Sequence, residues 1–136
     1  MSEKQKVDSS LLKVGHQFPS TSYQLDSSMV SDYIKAAGEA SELYKSTNLV
    51  PPTAIVAGAM SMLSESISFP PGAIHFHQEL EFMDTVSIGE TVTCQAKVSN
   101  REDRGKLHML TIELNICGQD RRPVLTGKTG FVLPES

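Results

Sequence analysis

The chain has 136 residues, with 12 Lys or Arg against 16 Asp or Glu and a formal net charge of −4. A single domain of that length buries about two thirds of its unfolded surface without disulfide staples, and the acidic balance, with no Lys/Arg run longer than Arg121-Arg122, argues against nucleic acid as a partner. No apolar run reaches the roughly 18 residues of a membrane span. Met1-Ser-Glu-Lys-Gln-Lys lacks the apolar core of a signal peptide. Cys94 and Cys117 fall in strand-like runs without metal-ligand neighbours, which fits ordinary packing residues in a reducing, cytoplasmic setting.

Residues 1–10 are polar and expected to be loose. A short extended segment and a turn follow from Leu11, then a first strand over residues 22–25. Asp26 or Ser27 is placed to cap a helix over residues 28–37, whose Met29, Val30, Tyr33, Ile34 and Ala37 share one face, with Gly38 as its stop. A polar connection, 39–48, leads to the stretch that organises the chain. There, Pro51-Pro52 and Pro70-Pro71-Gly72 bracket a helix expected over residues 53–68, with Val56, Ala59, Met60, Leu63 and Ile67 on one face. Ala54, Ala57, Gly58 and Ala59 keep its first turns thin. A glycine costs about 1 kcal/mol against alanine inside a helix, so Gly58 marks either tight packing or an exposed backbone amide.

Period two then takes over, in residues 73–82, 90–99, 107–117 and 124–133, with 100–106 and 118–123 as polar turns between antiparallel neighbours. In the first of these runs His75, His77, Glu79 and Glu81 occupy alternate positions, so strict alternation sets them on one face. The row reads as a solvated or subunit-facing one, as a metal site, or as a source of substrate-binding or proton-carrying histidines in His75 and His77. Side chains two apart on one strand project in parallel and converge poorly, so no bound metal is expected. His16 and His108 read as structural. One long helix ahead of a run of long strands is an α+β arrangement in which the sheet can wrap the helix.

Several pieces stand in a telling order over residues 12–133: Val14-Gly-His-Gln-Phe, Ala36-Ala-Gly-Glu, Pro51-Pro-Thr followed by Val56-Ala-Gly-Ala-Met, His77-Gln-Glu-Leu-Glu-Phe, and Val86-Ser-Ile-Gly-Glu-Thr-Val. In these the chain resembles the MaoC-like dehydratases and (R)-specific enoyl-thioester hydratases of the hotdog fold. The resemblance implies a single α+β hotdog domain over residues 11–136, an antiparallel sheet around a central helix, and edge-to-edge pairing of two such units. It also implies an acyl-CoA or acyl-carrier thioester as ligand, and no cofactor. Gly58, beside Ala57, matches the family glycine whose backbone N–H holds the thioester carbonyl.

The family's water-activating Asp and His stand in a Gly-Asp-x-Asn-Pro-x-His motif, which here becomes Gly38-Glu-Ala-Ser-Glu-Leu-Tyr44. Glu39 keeps a carboxylate one methylene out of place. Tyr44, with an unperturbed pKa of about 10, donates hydrogen bonds and is a poor base at neutral pH. A Tyr at that position together with Pro-Pro-Thr resembles the substrate-binding half of two-part dehydratases. Three readings follow: a homodimeric hydratase with altered catalysis, a binding subunit paired with a catalytic hotdog subunit, and a hotdog thioesterase in which Glu39 or Glu65 activates water.

Overall fold

The computed structural model describes residues 6–37 and 48–135. In chain order the elements are β1 (Val7–Asp8), β2 (Thr21–Gln24), α1 (Ser27–Ala37), α2 (Pro52–Ser66), β3 (Ile67–Ser68), β4 (Ile74–Phe82), β5 (Thr91–Arg104), β6 (Leu107–Cys117) and β7 (Pro123–Pro134). Asp26 caps α1 as expected, its carboxylate accepting from the Met29 amide at 2.8 Å. Proline is tolerated at the first helical position because its missing N–H is one the first turn does not use. Hence α2 starts at Pro52 with Pro51 as its cap.

Five strands form one antiparallel sheet in the order β2-β5-β6-β7-β4. β5 to β7 are a meander, whereas β4 crosses over to pair with the last strand and so lies at the far edge. Ala54, Ile55, Val56, Ala59 and Leu63 of α2 are buried, in a core with Val92, Cys94, Val98, Leu110, Ile112, Leu114, Ile116, Leu125 and Phe131 of the inner sheet face. The result is the α+β hotdog arrangement, although the sheet does not enclose the helix in this single chain. Ala57, Ser61, Ser64 and Glu65 on its other side stay exposed.

Several boundaries differ from expectation, the larger differences for a physical reason. The helix stops at Ser66 rather than 68, because Ile67 and Ser68 turn extended and pair in parallel with Val7 and Asp8. The residues just before Leu11 are therefore not loose. Arg101 fixes them further, its Nη1 donating to the Ser9 and Leu12 carbonyls at 3.0 and 2.9 Å. Residues 9–11 form a 3-10 turn, where loose chain was expected up to residue 10 and an extended segment from Leu11. β5 runs on to Arg104, leaving a two-residue turn at Gly105-Lys106, because Gly105 adopts the left-handed φ of +59° that a tight hairpin needs. His108 bridges Asp103 at 2.5 Å and Glu135 at 3.4 Å, the structural place expected of it.

The most consequential difference lies in β4. Between His75 and His77 the register with β7 slips: His75 sits opposite Phe131 and His77 opposite Gly130, with Phe76 as the extra residue of a bulge. An extra residue inverts the alternation. His75 therefore shares the helix-side face with Phe131, while His77, Glu79 and Glu81 share the outer face with Gly130, Lys128 and Thr126. The four-residue row on one face does not form.

Candidate functional site

On the β2 side of α2, Tyr23, Met29, Tyr33, Ala57, Gly58 and Met62 wall a groove of about 410 Å³. Its apolar character follows from the sequence: α1 turns Met29 and Tyr33 toward α2, whose thin second turn leaves room beside them. Tyr23 rises from β2 across the groove, and its hydroxyl donates to the Ile55 carbonyl at 2.7 Å. Burial, with the neighbouring Cys94 thiol second, pushes the Tyr23 pKa upward, so this phenol stays neutral.

The same ring accounts for Gly58. A Cβ there would stand 2.6 Å from Tyr23 Cε2 and 3.0 Å from Cζ, closer than side-chain carbons approach. Gly58 is also the seventh residue of α2, so its N–H belongs to the ladder that bonds each amide to the carbonyl four residues back. It does not stand at the helix start. The first-turn amides are those of Thr53 and Ala54: the Ala54 amide bonds the Pro51 carbonyl at 2.9 Å, and that of Thr53 has no hydrogen-bond partner among the described residues. The Pro51-Pro52 pair already carried this signal, since a proline at the first helical position makes Thr53 the second.

Thr53 also meets the groove residue Tyr33: their hydroxyls are hydrogen-bonded. Neither hydroxyl emerges from sequence alone, where Tyr33 counts only as an apolar position. The pair adds hydroxyls at the Tyr33 side of a groove that is otherwise apolar but for Tyr23 and Ser61. Ala57 and Gly58 lie along its wall, so the structure brings these two expected residues together. Glu39 and Tyr44 lie outside the described residues.

His75 and His77 are placed elsewhere, on the opposite edge strand of the sheet. His75 Nε2 is 2.6 Å from the Oγ1 of fully buried Thr129, and its ring lies 5.1 Å from that of Phe131. His77 Nε2 is 3.3 Å from Glu79 Oε1 on the outer face. The edge beside them carries large apolar side chains in solvent, with Ile74 58%, Phe76 48%, Phe82 41% and Met83 46% exposed.

A sequence profile described as the FAS1-like dehydratase domain region matches residues 13–127. The chain belongs to this dehydratase family. Among solved structures it is similar to the unliganded R-hydratase PhaJ1 of Pseudomonas aeruginosa, at TM-score 0.74 and 15% identity over 93% of this chain and 85% of that one. It is similar to the (R)-hydratase from A. caviae involved in PHA biosynthesis, at TM-score 0.69 and 18% identity over 91% and 98%. The ChsH1–ChsH2 complex of Mycobacterium tuberculosis matches at TM-score 0.67 and 12% identity over 89% and 98%. These likenesses establish the hotdog fold. No curated protein matches the chain in sequence. No helix among the described residues is long and apolar enough to cross a membrane.

Proposed function

We propose that the chain binds an acyl thioester of coenzyme A or an acyl carrier in the α2 groove, as a hydratase/dehydratase-like protein with reduced water activation. The observation that carries this reading is the groove itself, apolar along Ala57, Gly58 and Met62 and polar at the Tyr33–Thr53 end. An acyl chain suits the first part and a thioester carbonyl the second. Glu39 and Tyr44 are the candidates for what remains of the catalytic pair. Positioned acid–base groups contribute about 10² to 10⁴ in rate, so hydration of a trans-2-enoyl-CoA by the purified chain should run at least about a hundredfold below an Asp/His site. Calorimetric binding of crotonyl-CoA together with loss of its conjugated absorbance tests this. Absence of binding overturns the reading. Efficient turnover overturns the reduced catalysis, and its loss in Glu39→Gln would then identify Glu39 as the base; thiol release without hydration would favour the thioesterase alternative.

A second reading, a binding subunit that works with a catalytic hotdog partner, draws support from the β4 edge. Among the described residues the outer edge of nine-residue β4 has no strand beside it, and with Ile74, Phe76, Phe82 and Met83 exposed there it invites one. His75 and His77 would then serve at that junction, with the pairing made to a second copy or to a different subunit. Sedimentation of the purified chain at micromolar concentration distinguishes these: a homodimer favours the first partner, and a monomer the second. A reducing cytoplasm suits the two thiols, since buried Cys94 pairs with Ile116 and Cys117 with Thr93, so the cysteines sit at neighbouring, not opposed, positions.

A further inference from the structure

We infer that the paired hydroxyls of Tyr33 and Thr53 are the seat for the carbonyl oxygen of the ligand in the α2 groove. The inference rests on the acyl-thioester reading above and assigns its polar contact to two side chains, neither of which belongs to the Glu39–Tyr44 stretch. Two bonded hydroxyls share one hydrogen between them, and among the described residues the other hydrogen has no acceptor and can donate outward. A phenolic O–H is a stronger hydrogen-bond donor than an aliphatic one. The favoured relay therefore runs from Thr53 O–H to the Tyr33 oxygen and from Tyr33 O–H to the ligand, each bond polarising the next.

Other hydroxyls on the groove wall do not offer this. Tyr23 donates to the Ile55 carbonyl at 2.7 Å and is turned to the helix backbone. Ser61 lies eight residues beyond Thr53 on α2, a rise of about 12 Å, at the far end of the apolar wall. A carbonyl at the Tyr33–Thr53 end directs the attached acyl chain along Ala57 and Gly58 toward Met62. The seat orients the carbonyl without any proton transfer, so Tyr33 and Thr53 are positioning residues.

The test compares octanoyl-CoA with S-octyl-CoA, its thioether analogue without the carbonyl, by calorimetry on the full chain. One hydrogen bond to the carbonyl makes the thioester bind up to about tenfold tighter than the thioether. In Tyr33→Phe that ratio is expected to fall close to one while S-octyl-CoA affinity stays within about twofold. Thr53→Val should lower the ratio, Thr53→Ser should restore it, and Ser61→Ala should leave it unchanged. A ratio preserved in Tyr33→Phe overturns the seat, and so does an equal loss for both ligands, which would mark the hydroxyl as structural. Failure of the unaltered chain to bind either ligand overturns the acyl-thioester reading and the seat with it, whereas binding of both with equal affinity overturns the seat alone.

Discussion

Gly58→Ala places two effects of opposite sign on one atom. Alanine is better than glycine in a helix interior by about 1 kcal/mol. Against that, the new Cβ would lie 2.6 Å from Tyr23 Cε2 and 3.2 Å from Cδ2, on a ring that its hydroxyl ties to the Ile55 carbonyl. The ring cannot yield by a simple rotation without losing that bond. Overpacking of this kind costs about 1–3 kcal/mol, so the net effect should be a destabilisation of about 1 kcal/mol. For a domain of this size that is a fall of roughly 3–5 °C in melting temperature. In a Tyr23→Ala background the obstacle is gone and the same substitution should stabilise by about 1 kcal/mol, giving a coupling of about 1–3 kcal/mol in a double-mutant cycle measured by urea denaturation. The displaced ring would also crowd the groove, so octanoyl-CoA should bind more weakly to Gly58→Ala. Stabilisation by Gly58→Ala in both backgrounds would refute the account of Gly58 as a packing glycine under Tyr23.

The tip of the β6–β7 hairpin holds Asp120 and Arg121 at φ of +58° and +59°, with the Arg122 amide bonded to the Gln119 carbonyl at 3.2 Å, a type I′ turn for which Asn-Gly is the favoured pair. Asp120→Asn with Arg121→Gly should therefore raise stability by about 1 kcal/mol in urea denaturation, and an unchanged midpoint would contradict the turn assignment. At alkaline pH the sign runs the other way: burial pushes the Cys94 thiol up to about 11 and Tyr23 upward too, so both stay protonated in the folded chain after the unfolded chain has begun to ionise. Their contribution is intact below about pH 8.5 and is lost as pH rises toward the folded values, at up to about 1.4 kcal/mol per pH unit for each group; Cys94→Ala should flatten that slope, and an unchanged slope would refute burial as its cause.

The sequence announces α2 and β6 almost residue by residue, because each obeys one period between strong punctuation: Pro51-Pro52 before the helix, Gly105 and Gly118 around the strand. The reading failed where a contact distant in sequence decides. β1 is two residues long and pairs only because Ile67 and Ser68 arrive beside it. Residues Asn100 to Arg104 look like a turn by composition, yet β5 continues through them by pairing with Leu107 to Thr111. In β4 the assumption of unbroken alternation concealed the bulge, although a signal for it stood in the partner strand. A Cβ on Gly130 would meet the Phe76 ring at 2.9 Å, so the glycine is what lets the extra residue fold over β7. Of the site, the thin wall at Ala57 and Gly58 was legible from small residues at helical spacing. The Tyr33–Thr53 pair was not, since no periodicity tells which hydroxyl of α1 will meet the first turn of α2.

The α2 groove and the β4 edge are set apart by the sheet order. The groove opens beside β2, at one edge of the sheet, whereas β4 forms the other edge, with three strands between them. On the outer face, Lys97, Glu113, Lys128 and Glu79 stand opposite one another across β5, β6, β7 and β4, an alternation of sign that ends at the edge on an acid. A strand added at β4 would extend this row most favourably with a cation facing Glu79. β4 itself carries no Lys or Arg, so a second copy of this strand brings no fixed cation to that place. A homodimer joined at this edge would thus leave Glu79 without a fixed cation opposite it, while a partner strand bearing Lys or Arg would complete the row. The same outer row therefore separates self-pairing from pairing with a different subunit, by the charge each sets opposite Glu79.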